Sequence, residues 1–177
     1  MAGAAGTQLA LPISQVPPGL QLSQAASHML TLADIAQIAD PVTADAFRRN
    51  GWQTGYEERL DGTNAASTRG CRVLIDAFVF NAKLGARISR VLWAAGTPGA
   101  STLITDLPTS AQSFQALVHT PGAPGWDVQI IIRVGQTFAD VDGRCNGTDN
   151  GTLQRARALA ARVTRPYNSW IAAHPPS

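Results

Sequence analysis

The fold is decided by one stretch, Cys71–Gly96, which reads C-R-V-L-I-D-A-F-V-F-N-A-K-L-G-A-R-I-S-R-V-L-W-A-A-G. Its first ten residues are almost all apolar and rich in branched and aromatic types, which predicts a strand with at least one buried face. From Asn81 onwards, apolar residues recur at helical spacing, with Asn81 suited to cap the helix and Gly96 suited to end it. The apolar positions of this helix are Leu84, Ile88, Val91, Leu92 and Ala95. The stretch therefore predicts a central strand that leads directly into an amphipathic helix.

The rest of the chain supplies elements on both sides of this core. Helical periodicity with capping residues predicts helices at Thr31–Ala39, from Asp40-Pro41 to Asn50, and at Thr152–Tyr167. Alternating or continuous apolar runs predict further strands at Trp52–Leu60, Ser101–Leu107, Phe114–His119 and Trp126–Ala139, followed by a polar loop at Asp140–Asn150. The order is then α-α-β-β-α-β-β-β-α. This order predicts an α+β fold in which an antiparallel sheet of about five strands carries helices packed on one face.

The 177 residues are enough for one domain with a proper core, which we place at residues 28–167. Residues 1–27 contain Pro12, Pro17 and Pro18 and read as an extended N-terminal arm, either a tether or a segment lying across the body. Residues 168–177 read as a frayed C-terminal tail. The first residues lack the basic and apolar regions of a signal peptide, so if the protein is exported, we expect that a signal or anchor preceded Met1.

The low net charge argues against polyanionic partners. Charged residues make up 15% of the chain and the formal net charge is +2. That charge is too small to predict binding to nucleic acid or to an anionic membrane surface. Contact with a membrane is expected only through an anchor that is absent from this chain.

The two cysteines, Cys71 and Cys145, leave two interpretations open. They form one disulfide, which suits an exported protein, or they are two buried thiols of a cytosolic one. If the Trp126–Ala139 strand lies near the Cys71 strand, the chain returns to the start of that strand. A bridge there would close a loop of about 75 residues.

Sequence motifs of catalysis are absent: the chain has no nucleophile elbow, P-loop, dinucleotide fingerprint or HExxH. We therefore assign no catalytic residue, no cofactor and no metal. The acidic run with Asp140, Asp142 and Asp149 does not fit an EF-hand, and polar turn chemistry explains it. Among the histidines only His119 is placed for catalysis, at a strand end, and it would need an acid such as Asp76 or Asp140.

A set of four residues forms the candidate ligand site: Asp76, Trp93, Trp126 and Arg133. Asp76 interrupts an apolar strand and is costly to bury alone. It either pairs with an arginine such as Arg72 or Arg133 across the sheet, or faces a pocket. The tryptophans either line an apolar groove or fill the edges of the core.

Three segments carry a family resemblance: G-W-x-x-G-Y-E-E-R-L, V-L-I-D-A-F-V-F-N-A-K-L-G-A, and I-I-I-R-V-G-Q-T-F before a basic helix. Over about Leu30 to Pro166, the chain resembles the small secreted or lipid-anchored cell-envelope domains of unknown function found in actinobacteria. The resemblance implies an α+β module, and some of these modules serve as extracytoplasmic sensors. No catalytic residue carries over.

The leading hypothesis is a non-enzymatic, extracytoplasmic binding or sensor module for a lipid, a glycan or an envelope protein. Two alternatives remain: an accessory structural subunit of a larger envelope assembly, and a small hydrolase-like enzyme that uses His119.

Overall fold

The computed structural model is built around one eight-stranded antiparallel sheet with four helices. The structure describes residues 8–63, 65–96, 100–101, 111–118 and 124–175. The strands are β1 Leu20–Leu22, β2 His28–Leu30, β3 Trp52–Gly62, β4 Cys71–Phe80, β5 Ala100–Ser101, β6 Gln112–Val118, β7 Gly125–Val134 and β8 Thr137–Asn146. The helices are α1 Leu32–Ile38, α2 Pro41–Arg49, α3 Lys83–Gly96 and α4 Asn150–Ala173. The predicted α+β class with an antiparallel sheet is thus confirmed.

The strand order is β1-β3-β4-β8-β7-β6-β5, and β2 also pairs with β3. β4 and β8 lie at the centre and pair in register from Cys71↔Cys145 to Val79↔Thr137. The predicted central strand therefore holds a central place. The sheet has more strands than the predicted five, because β1 and β2 join it and because β8 was not foreseen.

The largest correction concerns the predicted strand Trp126–Ala139 and the predicted polar loop Asp140–Asn150. The chain turns back at Gly135 and Gln136, so that β7 and β8 form a tight hairpin. Gly135 has a φ of +60°, which a residue without a side chain adopts at no steric cost and which a two-residue hairpin requires. Asp140 and Asp142 are consequently in a strand and not in a loop, whereas Asp149 caps α4.

Helices cover both faces of the sheet, whereas the sequence predicted one covered face. α4 packs on the face formed by residues such as Val73, Ile75 and Val141, and α1, α2 and α3 cover the opposite face around Phe78 and Phe138. The physical reason lies in β4, where residues 75–80 are buried without alternation. A strand that is apolar on both sides needs cover on both sides.

Capping fixes where α1 and α2 begin, as the sequence predicted, whereas α4 begins at Asn150 behind an Asp149 cap and not at the predicted Thr152. Thr31 and Asp34 form a reciprocal capping box at α1, and Asp40 accepts from the Thr43 amide at α2. The face that α3 presents was not foreseen, because its buried residues are Gly85, Ala86, Ser89 and Trp93. The apolar positions Leu84, Ile88, Val91 and Leu92 are exposed. A side chain at Gly85 would collide with the Asn50 carbonyl, so the glycine allows α3 to approach the end of α2.

The two ends of the chain also differ from the extended arm and frayed tail that the sequence predicted. Within the segment read as an arm, Leu9 and Leu11 are buried in the core and β1 joins the sheet. Of the two alternatives for residues 8–27, lying across the body is the one found. The last helix continues through Pro166 to Ala173, six residues beyond the predicted end at Tyr167.

Cys71 and Cys145 are joined by a disulfide bond, the first of the two interpretations. The two residues are direct cross-strand neighbours of β4 and β8. No described helix is long and apolar enough to cross a membrane.

Candidate functional site

The site lies on the sheet face that α1, α2 and α3 cover. Because side chains alternate along a strand, the registers place residues of this face in rows across β3, β4, β8 and β7. The rows change character along the sheet. The first row is aromatic and contains Phe78 and Phe138, and the next is acidic and contains Glu57, Asp76 and Asp140. The row four residues from the acids holds two arginines, Arg72 and Arg144, between two aspartates, Asp61 and Asp127.

An aromatic cluster anchors one end of the site. The ring of Phe47 on α2 packs edge-on against Phe78, Phe80 and Phe138, with ring centroids 5.2–5.6 Å apart. Trp93 on α3 stands over the same group, 4.9 Å from Phe78. Such packing fixes the position of the indole relative to the sheet.

Next to the cluster, a pocket of about 310 Å³ opens between sheet and helices. Its floor is formed by Glu57, Leu74, Asp76, Gln129, Asp140 and Asp142 of the four central strands. Its rim is formed by Ile38, Ala39, Asp40 and Thr43 at the α1–α2 junction and by Leu92, Trp93 and Gly96 near the end of α3. Among the described residues, the lining holds five carboxylic acids and no lysine, arginine or histidine.

Two of these acids are deeply buried. The relative exposure is 8% for Asp76 and 3% for Asp140, and the two residues face each other across β4 and β8. Each has a carboxyl oxygen, Oδ1, without a hydrogen-bond partner among the described residues. Buried polar groups are normally satisfied, so unpartnered carboxyl oxygens at a pocket wall are the mark of a site that lacks its occupant or its water.

Burial shifts the proton affinity of these groups. Desolvation, reinforced by the charges of Asp140, Glu57 and Asp142, raises the pKa of Asp76 well above its usual range. Desolvation raises the pKa of Asp140 to about 6, and a hydrogen bond from Trp93 opposes the rise. The Trp93 indole donates from Nε1 to Asp140 Oδ2 at 2.7 Å. At neutral pH, Asp140 is largely ionised and accepts, whereas the raised pKa of Asp76 favours the protonated form, which can donate, more than in an ordinary aspartate.

The structure brings two of the four predicted ligand residues together, Asp76 and Trp93. Trp126 points to the opposite face, beside the core under α4, and its indole donates to the Thr148 carbonyl at 3.2 Å. Arg133 shares the face of Asp76 but belongs to the aromatic row, opposite Phe138, and it donates to the Gly135 carbonyl. Neither residue lines the pocket.

Of the two roles considered for Asp76, facing a pocket is the one found. Among the described residues, no ion pair joins Asp76 to Arg72 or Arg133. In the same part of the chain, no group of three or more His, Cys, Asp and Glu side chains is arranged to hold a metal ion. His119 lies outside the described residues.

Sequence reasoning missed Glu57 and Asp142 as site residues and treated Asp140 chiefly as part of a turn. The signal was present as strict alternation after Gly135. Residues 138, 140, 142 and 144 are polar or aromatic, and residues 139, 141, 143 and 145 are small or apolar. This period of two predicts a strand whose wet face carries both aspartates.

Comparison with known proteins identifies a fold and no family. No protein family matches the sequence, and no curated protein is similar to it. Among solved structures, the extracellular domain of PknH from Mycobacterium tuberculosis is similar, with a TM-score of 0.53 and 13% identity over 96% of this chain and 97% of that one. An uncharacterised protein from Mycobacterium smegmatis aligns over 90% of this chain and 95% of its own, with 12% identity and a TM-score of 0.37. At such identity, the first likeness establishes a shared fold alone.

Proposed function

We propose that this protein is an extracytoplasmic, non-enzymatic binding module, and that the acid-lined pocket beneath Trp93 is its ligand site. The observation that carries the proposal is the pair of buried carboxyl groups, Asp76 and Asp140, whose Oδ1 atoms lack partners and line an open pocket. Leaving such groups without partners costs stability, which a ligand with matching hydrogen-bond groups would restore.

The location rests on two observations. The Cys71–Cys145 disulfide is typical of proteins that fold in an oxidising compartment. The fold shared with the extracellular domain of PknH adds support, since that domain is itself extracellular.

Of the partner classes expected from the sequence, a glycan fits the pocket best. The raised pKa of Asp76 favours a carboxyl group that can donate, and the Asp140 carboxylate accepts, so the pair suits sugar hydroxyl groups, which both donate and accept. Trp93 and Leu92 add apolar surface at the rim. A lipid chain would leave the carboxyl groups unpaired, and an anionic ligand would be repelled by them.

Two sugars of different charge test the proposal, glucose and glucosamine, titrated into 15N-labelled protein and followed by NMR. We expect saturable shifts at pocket residues, with binding weakened at least tenfold in Asp76→Asn and Asp140→Asn. Asp45→Asn is the matched control, because Asp45 is an exposed acid on α2 that pairs with Arg48 away from the pocket. Circular dichroism establishes that each variant folds.

Native mass spectrometry of the freshly purified protein provides an independent reading. A bound molecule that is lost in Asp140→Asn supports the proposal and gives the ligand's mass. Protein that carries no molecule and binds neither sugar contradicts it, and an envelope protein partner then becomes the better explanation.

A second candidate function is hydrolysis by the Asp76–Asp140 pair, favoured by the position of the two acids opposite each other on β4 and β8 at the wall of one pocket. Paired carboxyl groups, one protonated and one ionised, are the arrangement that glycoside hydrolysis uses. Incubation with a panel of 4-nitrophenyl glycosides separates the two functions. Release of nitrophenol that is abolished by Asp140→Asn would establish an enzyme and contradict a binding module.

A further inference from the structure

A second pocket lies on the same sheet face, at the end where β4 begins and β8 ends. Its volume is about 450 Å³. The residues that line it are Arg59, Asp61, Gly70, Cys71, Arg72, Arg144 and Asn146. Three guanidinium groups and one carboxylate therefore border one cavity, which gives its wall a net positive charge.

The strand register places like charges side by side. Arg72 of β4 lies directly opposite Arg144 of β8, with Asp61 and Asp127 on the outer strands of the same row. Like charges directly opposite each other in an antiparallel pair destabilise a sheet. An anion placed between the two arginines would convert this repulsion into attraction.

The neighbouring acids neutralise the arginines only in part. Arg59 pairs with Asp61, with 2.8 Å between Nε and Oδ1, and Arg144 Nε lies 3.5 Å from Asp127 Oδ1. Among the described residues, Arg72 forms no ion pair, although its charge acts on Asp127 and Asp142, and its buried Nε has no hydrogen-bond partner. The pocket thus contains a guanidinium group with an unused donor.

From this geometry we propose that the arginine pocket is a second binding site, and that it takes the phosphate group of a larger molecule. Guanidinium groups bind phosphate through paired, charge-assisted hydrogen bonds, and arginine suits this role better than lysine. The pocket is much larger than a phosphate ion, so the phosphate belongs to a larger ligand. The site is distinct from the acid-lined pocket, because the two share no lining residue.

A phosphate group could come from a soluble phosphoester or from a lipid headgroup, and the test separates them. Inorganic phosphate and glycerol 1-phosphate are the soluble probes, followed by NMR titration at low ionic strength. Vesicles of phosphatidylcholine with and without phosphatidylglycerol are the membrane probe, followed by co-sedimentation. The variants are Arg72→Gln and Arg59→Gln, with Arg87→Gln as matched control, since Arg87 is exposed on α3 outside the pocket.

We expect a saturable response to at least one probe that is weakened at least tenfold in Arg72→Gln and unchanged in Arg87→Gln. Binding of the soluble probes with this dependence assigns a free phosphoester, and binding of phosphatidylglycerol vesicles alone with this dependence assigns a headgroup. Binding of no probe, or an equal loss in Arg72→Gln and Arg87→Gln, overturns the proposal.

Discussion

Asp76 lies directly opposite Asp140 on the two central strands, and four residues away along the same strands Arg72 lies opposite Arg144. Between the two central strands, acid thus faces acid and base faces base, although both charge types occur on each strand. Like-charged cross-strand pairs cost stability, whereas mixed pairs would contribute to it. Each of these two rows lines a pocket, so the destabilising pairs lie where a bound ligand would offset their cost in stability.

Stability should fall as pH rises, because the buried acids keep their protons more tightly in the folded protein. For Asp140, a folded pKa of about 6 against an ordinary value of 3.8 means that stability is greatest below pH 4 and decreases as pH rises through 6. At about 1.4 kcal/mol per pKa unit, this amounts to about 3 kcal/mol. Asp140→Asn removes that dependence and still offers an oxygen to Trp93. Urea unfolding at several pH values, with the disulfide intact, measures it.

Asp45→Asn is the control for this experiment, because Asp45 is exposed and should leave the pH profile unchanged. A profile for Asp140→Asn with the same slope as the unsubstituted protein between pH 4 and 7 would contradict the prediction.

Removing the indole donor of Trp93 should raise the pKa of Asp140 further. Trp93→Phe keeps an aromatic ring against Phe78 but loses the 2.7 Å hydrogen bond to the Asp140 carboxylate. Because that bond lowers the pKa of Asp140, its loss should raise the pKa further. We expect a cost of about 1–3 kcal/mol at pH 8, where the carboxylate is ionised, and a smaller cost at pH 4. An NMR titration of the carboxyl carbon gives the pKa, and an unchanged value would show that the hydrogen bond has no influence.

The central strand, the caps of α1 and α2 and the α+β class were predictable because each depends on local pattern. Capping residues and a run of branched apolar side chains act over a few positions, so they survive any tertiary context. The β7–β8 hairpin was missed because V-G-Q-T carries weaker turn chemistry than Asn-Gly, and because Asp140 and Asp142 resemble turn residues. Once β8 is recognised, alternation alone places both aspartates on the face of Asp76.

The faces of α3 and the composition of the site could not be predicted in the same way. The apolar residues of α3 face outward, because close approach to α2 demands Gly85 and Ala86 on the inner side. Trp126 and Arg133 were grouped with Asp76 by chemistry alone. The register places Trp126 on the opposite face of the sheet and Arg133 in the aromatic row. Register depends on pairing between distant segments, which a single sequence specifies only weakly.

Loss of the disulfide should destabilise the domain. The bridge joins residues 74 positions apart, and closing a loop of that length contributes on the order of 4 kcal/mol in the chain-entropy model. We expect the Cys71→Ala, Cys145→Ala double variant to unfold at correspondingly lower urea concentration. Counting reactive thiols in the denatured, unreduced protein checks the bridge directly, and two thiols per chain would show that it is absent.

The N-terminal segment should loosen when its buried hydrogen bonds are removed. The Tyr167 hydroxyl donates to the Leu9 carbonyl at 2.8 Å, and the Leu11 amide donates to Glu58 Oε2 at 2.8 Å. Tyr167→Phe leaves the Leu9 carbonyl without this donor inside the core, at a cost of about 1–3 kcal/mol. Because the two bonds hold neighbouring residues, amide exchange at Leu11 should become faster while exchange in the centre of β4 follows global stability alone. Tyr56→Phe is the matched control, since Tyr56 bonds to Ser27 instead. Equal acceleration at Leu11 in both variants would mean that the faster exchange reflects lower global stability. The Tyr167 contact would then not be what holds the segment in place.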